Sequence, residues 1–236
     1  IRGVALEGIE GEHVNLTPEV IETIAKSFVR WIRNNSDCET PTIAVGMDCR
    51  LSGSSIKSAF VKGAVEAGAN VVDCGLASTP AMFMTTISKH VEATASVMVT
   101  ASHLPFNRNG LKFFTPKGGL DSKDIASILT IAENGEFAFE GAKGSSSTLD
   151  FMDIYSRHIA DYICEGVNAD DYQHPLKGMH IIVDAGNGNG GFFEKILSAL
   201  GADTKGSQFL DPDGRFPNHI PNPEDREAMA SVCKAV

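Results

Sequence analysis

Apolar residues recur along this chain with the spacings of helices and of short buried strands. Between Pro18 and Asn35 the residues Ile21, Ile24, Phe28 and Ile32 stand three or four apart. Thr17 is placed to cap that segment and Pro18 occupies its first turn, so an amphipathic helix ending at Asn34-Asn35 is predicted. The run "TIAVG" (42–46) reads as a buried strand, "MDCRLSGSS" as a polar loop, and the segment through Ile56, Phe60 and Ala64 as a second helix. "NVVDCG" (70–75) is the next predicted strand, a helix begins near Pro80, and "ASVMVT" (95–100) is a third strand. Strands alternating with helices imply parallel strands joined by right-handed crossovers.

The order strand, loop, helix, strand returns in "MHIIVDAGNGNGGFFEKILSALGADTKG" (179–206). In both halves a helix ends in Gly-Ala before a new strand, at "VEAGANVVD" (65–73) and "LSALGADTK" (197–205). The expected fold is therefore α/β, with two successive mixed α/β domains of similar topology. The Gly, Ser and Lys content of "ENGEFAFEGAKGSSSTLD" (133–150) reads as a linker, which puts a boundary near residue 145 and gives domains 1–145 and 146–236.

Composition narrows the partners. With 236 residues, 42% of them hydrophobic, the chain can bury substantial cores. No run approaches the roughly 18 to 20 apolar residues of a membrane span, and no apolar segment preceded by basic residues opens the chain as a secretory signal would. The five cysteines form no CxxC pair, which reads as reduced thiols, and the seven histidines do not cluster with them as zinc ligands would. A net charge of −10 repels a nucleic-acid backbone, so neither nucleic acid nor membrane is expected as a partner. A small anionic substrate suits the chain where positive charge is local. Residues 93–120 lack Asp and Glu and carry Arg108, Lys112 and Lys117.

In open α/β sheets ligands bind where loops leave the carboxyl ends of strands, and "GMDCRLSG" (46–53) and "TASHLP" (100–105) are two such loops. Arg50 can thereby lie near Ser102. A serine nucleophile needs a base or an electrophile activated by charge. "TASHLP" is not a GxSxG elbow and its loop holds no acid to orient His103. Phosphoryl transfer, which depends on positioning and on cations such as Arg50, Lys112 and Arg2, suits these residues better than a triad. The alternative for the isolated Ser-His pair is a solvated turn between two strands.

"TASHLPFNRNGLK" (100–112) resembles the active-site signature of the α-D-phosphohexomutases, the phosphoglucomutase and phosphomannomutase family, in which TASHNP precedes an Asn-Gly-x-Lys run. In the same order, "IRG" (1–3) resembles the family's N-terminal arginine motif, "GMDCRLSG" its Gly-x-Asp-x-Arg loop, and "DPDGRFPNHIPNPE" (211–224) its PDGxFP and PNPE segment. The resemblance implies interconversion of hexose 1-phosphate and hexose 6-phosphate, of glucose or mannose, through phosphoserine. Ser102 would carry the phosphoryl group and a hexose 1,6-bisphosphate would be the intermediate and activator. Lys112 matches the general base, Arg2 and His103 match residues that assist proton transfer and position the reacting groups, and Arg50 and Asn109 match substrate or phosphate binding. For Arg50 an ordering role is an equal alternative. Mg²⁺ would bridge the phosphate on Ser102 and a carboxylate loop.

Two departures accompany the resemblance. Leu104 replaces the usual Asn of the signature, and the sequence reaches Val236 before the family's aspartate-rich metal loop, sugar-selecting loop and phosphate clamp. Little or no mutase activity is expected of this chain alone. "DPDG" (211–214) is not an EF-hand loop, because Arg215 and Asn222 hold its fifth and twelfth positions. "IRGVALEG" and "ASHLPFNRNGLKFF" resemble the plastid branch of photosynthetic eukaryotes, so a cytoplasmic or plastid protein, not a secreted one, is expected. Ile1 in place of methionine leaves any targeting peptide outside the sequence.

Two other readings compete. Gly186, Gly188 and Gly191 in "DAGNGNGG" satisfy GxGxxG between a predicted strand and helix, with Asp211 near the spacing of a ribose-binding acid, as in an NAD-dependent oxidoreductase. A non-catalytic sugar-phosphate-binding fragment is the other.

Overall fold

The computed structural model describes residues 1–236, which cluster into two units. The first comprises Ile1–Ala101 and Asn107–Phe151, the second Ser102–Phe106 and Met152–Val236.

In the first unit, α1 (Pro18–Asn35) begins where Thr17 Oγ1 accepts from Val20 N, with Pro18 at the helix start, as the sequence predicts. It is followed by β2 (Thr42–Met47), α2 (Gly53–Glu66), β3 (Asn70–Leu76), α3 (Thr79–Met84) and β4 (Ala95–Val99). These match the predicted elements in type and order, and β4, β2 and β3 run parallel as expected. The far side of the sheet is antiparallel. There β5 (Arg108–Thr115) pairs with β4 and, along its other edge, with β1 (Arg2–Val4) and β6 (Gly118–Gly119). After α4 (Ser122–Asn134), β7 (Ser146–Thr148) joins β3 in parallel, giving the order β1-β5-β4-β2-β3-β7. Part of the stretch that reads as a linker is thus a sheet-edge strand. Asn70 Oδ1 accepts from both Ser145 N and Ser145 Oγ, fixing the register just before the strand.

Helices α1, α2 and α4 cover one face of this sheet. Phe28 from α1, Phe60 from α2 and Phe113 from β5 meet in the core, with the rings of Phe28 and Phe113 4.6 Å apart. Packing α1 against α2 requires Gly63, because a Cβ there would lie 2.6 Å from the carbonyl oxygen of Glu22. α3 lies on the opposite face, where Ser96 Oγ donates to the carbonyl of Met82 and Phe83 stacks edgewise on Phe114.

The second unit contains α5 (Phe151–Val167) from its second residue on, a 3-10 turn (Asn189–Gly191), α6 (Phe192–Ala199) and α7 (Arg226–Ala235). Its predicted strands are reduced to two parallel bridges, His180 with Asp203 and Asp184 with Gln208. The ladder breaks between them for a local reason. Gly206 takes a φ of +100°, and the hydroxyl of Ser207 accepts from Val183 N, a donor that regular strand pairing would give to a backbone carbonyl. Cys164, Leu176, Ile196, Leu200 and Ala202 form the small core of this unit. No helix of the chain is long and apolar enough to cross a membrane.

Candidate active site

The ends of β2 and β4 feed the two loops singled out in the sequence. Asp48 follows β2, and its carboxylate Oδ2 accepts from Thr100 Oγ1 at 2.6 Å and from Arg50 Nε at 3.3 Å, while Oδ1 accepts from Arg50 N. Arg50 Nη1 donates to the carbonyl of Arg108, at the start of β5, at 3.1 Å. The Arg50 side chain has no exposure, and Asp48 retains 16%. Burial pushes the Asp48 carboxyl upward against the opposing Thr100 hydrogen bond and Arg50 charge, and burial likewise lowers Arg50.

Asn109 is also fully buried. Its Nδ2 donates to Ser52 Oγ at 2.9 Å and its Oδ1 accepts from Gly110 N. The expectation that Arg50 and Asn109 contact phosphate directly does not fit this placement. Both side chains are enclosed in the wall of the unit and spend their polar groups on protein partners, so the ordering role left open for Arg50 is the one its geometry matches.

Arg2 and Lys112 are placed differently. Arg2 lies opposite Gly110 in the β1–β5 ladder, and Lys112 lies opposite Met98. Because side chains alternate along a strand, Lys112 leaves the same face as Gly110 and hence as Arg2, whereas Asn109, Leu111 and Phe113 leave the other. A Cβ at position 110 would lie 2.9 Å from Arg2 Cγ and would run into the carbonyl oxygen of Ile1. The glycine of the "NGLK" run is therefore the seat of the Arg2 stem.

Ser102 follows β4 by three residues and is exposed, as is His103. Ser102 has a φ of +58°, in the left-handed region that a non-glycine residue enters only when its surroundings hold it there. The local excess of positive charge seen in the sequence is divided by the fold. Arg108 is spent on Glu12 through Nη2 at 2.6 Å and Nε at 3.1 Å, and Lys117 lies beyond the other end of β5. Arg2 and Lys112 remain near the Ser102 end of β4. Asp48 and Thr100 stand inside the quoted loops and were legible as strand-end polar residues, but Glu12 lies in a polar segment without any motif.

The glycine-rich turn of the second unit has its close-approach surfaces filled by this chain. A Cβ on Gly186 would lie 2.8 Å from His219 Cε1, and one on Gly191 would run into the carbonyl oxygen of Leu210. Asn187 N donates to the carbonyl of Phe209, Asn187 Nδ2 to that of Asp211, and Asn218 Nδ2 to Asn187 Oδ1. Asp184 Oδ1 accepts from Gly186 N and His219 Nε2, and its Oδ2 from Gln208 Nε2 and Ser231 Oγ. Residues Phe209, Leu210, Asp211 and His219 thus pack on the glycine turn, and Asp211 is tied to it by its backbone carbonyl rather than standing free for a ribose. The oxidoreductase reading is thereby replaced by a structural one.

The first unit, with its mixed sheet, helices on both faces and polar side chains engaged at the strand ends, belongs to the class of open-sheet α/β domains. Family models narrow this. The model described as phosphoglucomutase/phosphomannomutase, alpha/beta/alpha domain I matches residues 2–139, and that for domain II matches residues 153–236. The chain belongs to the phosphoglucomutase/phosphomannomutase family. It is 31% identical over 232 residues to a phosphoglucomutase of Neisseria meningitidis serogroup B, covering 98% of this chain and 46% of that protein. It is 34% identical over 240 residues to a phosphomannomutase of Salmonella typhimurium, covering 98% and 49%. A crystal structure of a phosphoglucomutase/phosphomannomutase family protein from Burkholderia thailandensis shares the fold, with a TM-score of 0.75 at 24% identity, covering 98% of this chain and 48% of that one. The chain spans about half the length of these relatives.

Proposed function

We propose that this chain is the phosphoserine-bearing part of a hexose-phosphate mutase acting on glucose or mannose phosphates, with Ser102 as the phosphoryl carrier. The observation that carries the reading is the placement of Arg2 and Lys112 on one sheet face near the end of β4, from which the Ser102 signature follows.

In this reading a hydroxyl oxygen of the hexose monophosphate attacks the phosphorus on Ser102. The new O–P bond forms as the Ser Oγ–P bond breaks, and Lys112 Nζ takes the hydroxyl proton. The released serine oxygen then accepts the other phosphoryl group of the reoriented 1,6-bisphosphate, and the departing sugar oxygen regains a proton. Arg2 stabilises charge on the phosphoryl oxygens, His103 sits beside the carrier as a positioning or proton-handling group, and Arg50 and Asn109 fix the loops.

Mg²⁺, on which this family generally depends, would supply electrostatic stabilisation at the phosphate when bound. The residues of this chain do not make such a site by themselves, since no group of three or more His, Cys, Asp or Glu side chains is arranged to hold a metal. The remaining ligands and the sugar-selecting groups are assigned to the half of the relatives' length that this chain does not span, and this chain alone is assigned little mutase activity.

The test is intact-mass measurement and peptide mapping of the protein at its natural length, incubated with Mg²⁺ and glucose 1,6-bisphosphate. Phosphate on Ser102, absent in Ser102→Ala, is the expected result. Phosphate elsewhere, or none, would overturn the assignment and favour a sugar-phosphate-binding protein.

A further inference from the structure

Five residues, Ser102–Phe106, separate two positions that the first unit holds firmly. At the entry, Thr100 N donates to the carbonyl of Gly110, and Thr100 Oγ1 donates to Asp48. At the exit, Asn107 is fully buried, its carbonyl accepts from Ala5 N and Leu6 N, and its Nδ2 donates to Glu12 Oε2 at 2.7 Å. Arg108 closes a fork on the same carboxylate. Arg50 joins the two ends, because it bonds to Asp48 with one nitrogen and to the carbonyl of Arg108 with another. The continuous path Thr100, Asp48, Arg50, Arg108, Glu12 therefore runs across the neck of the loop.

We infer that Asp48 and Glu12 are positioning residues for phosphoryl transfer, one carboxylate anchoring each end of the Ser102 loop, an inference that rests on the reading of Ser102 as the phosphoryl carrier. Neither carboxylate needs to touch substrate. Their work is conformational: Ser102 sits at positive φ, a conformation that persists only where the flanking backbone is over-determined. Near-attack geometry at a nucleophile is sensitive to displacements of about 1 Å, which can cost around a hundredfold in rate. Loosening either anchor should thus slow transfer through Ser102 while leaving the affinity for sugar phosphate alone.

Three variants of the protein at its natural length test this. Thr100→Val removes the hydroxyl at constant shape, Thr100→Ser keeps it, and Glu12→Ala releases both the partly exposed Arg108 fork and the buried Asn107 amide at the exit. The readouts are the rate of phosphoryl transfer from glucose 1,6-bisphosphate to Ser102, followed by intact mass, and the KM for that sugar. Thr100→Val and Glu12→Ala are expected to slow transfer at least tenfold with KM within twofold, and Thr100→Ser to stay within threefold of the wild type. Glu12→Ala supplies the result at the exit anchor should Thr100→Val fold poorly. Wild-type rates in both Thr100→Val and Glu12→Ala, a Thr100→Ser as slow as Thr100→Val, or KM rising in step with the lost rate would overturn the positioning role alone. A wild-type protein that takes no phosphate on Ser102 would overturn the carrier assignment, and the anchors' role in transfer with it.

Discussion

At the scale of single residues, Gly110 and Ser102 show how side-chain size and backbone conformation shape one site. Gly110 leaves space for the Arg2 stem, so Gly110→Ala must push β1 off β5 or force Arg2 into another rotamer. Small-to-large changes in packed positions cost about 1–3 kcal/mol. The expected outcome is that Gly110→Ala lowers the urea midpoint of the first unit and weakens sugar-phosphate binding at Arg2, whereas Arg2→Ala weakens binding without the loss of stability. Calorimetric titration with glucose 1-phosphate beside a urea melt separates the two. Equal stability of Gly110→Ala and wild type would disprove the crowding argument. In the sequence the Asn-Gly-x-Lys spacing was visible, but which face each residue leaves was not, because that depends on the β1–β5 register. Arg50 and Asn109 illustrate the same gap: the motif leaves Arg50 open between ordering the loops and binding a ligand and reads Asn109 as a ligand, while burial shows the polar groups of both engaged by protein.

At the scale of elements, the long amphipathic helix and the parallel strands were legible because their patterns are driven by burial in a common core. Phe60 packs between Phe28 and Phe113 with no exposure, and truncating such a side chain costs about 3–5 kcal/mol. Phe60→Ala is expected to lower the unfolding free energy of the first unit by about that amount, reported by the fluorescence of Trp31, the single tryptophan. A loss below about 1 kcal/mol would mean the aromatic cluster is not the centre of the core. The edge strand β7 was illegible for the opposite reason, since "SST" is exposed and owes its structure to pairing with β3 rather than to its own pattern. In the second unit the pH response is set by one pair. Burial opposes charge on His219, but both ring nitrogens face acceptors, the carbonyl of Ile220 and Asp184, and these hold its pKa above the ordinary value. Burial also opposes charge on Asp184, yet its hydrogen bonds with His219, Gly186, Ser231 and Gln208 leave its pKa lowered. The histidine contribution is complete below its unfolded pKa of about 6.5 and is lost as pH rises through the higher folded value. The aspartate contribution is present above about pH 4 and is lost as pH falls through its lower folded value. The second unit should therefore be most stable at about pH 4–6.5 and weaken toward pH 8, a slope that His219→Gln removes. Thermal melts across that range decide it, and a slope unchanged in His219→Gln would refute the assignment.

At the scale of the whole molecule, the family signature was legible from end to end because its motifs are short runs of specific residue types at fixed spacing, in the strand-end loops and in β1 and β5, that can be matched without knowing the contacts they make. The fine division of labour was not legible, since positive charge counted along 93–120 is partly cancelled by Glu12, about a hundred residues away in sequence but bonded in space. Charge bookkeeping of this kind also governs the metal. A divalent cation needs several oxygen ligands at once, and the chain's acidic residues, though numerous, form no group able to supply them. Phosphorylated Ser102 would add anionic oxygens at one point only. The unphosphorylated chain should therefore show no rise in its melting temperature on addition of 5-fold to 100-fold molar excess of Mg²⁺ and no fall on addition of EDTA, because a ligand stabilises by RT ln(1 + [L]/Kd) only where it binds the folded state. Differential scanning calorimetry of the phosphorylated and unphosphorylated forms checks this. A shift of several degrees in the unphosphorylated chain would reveal a metal site built from its own side chains.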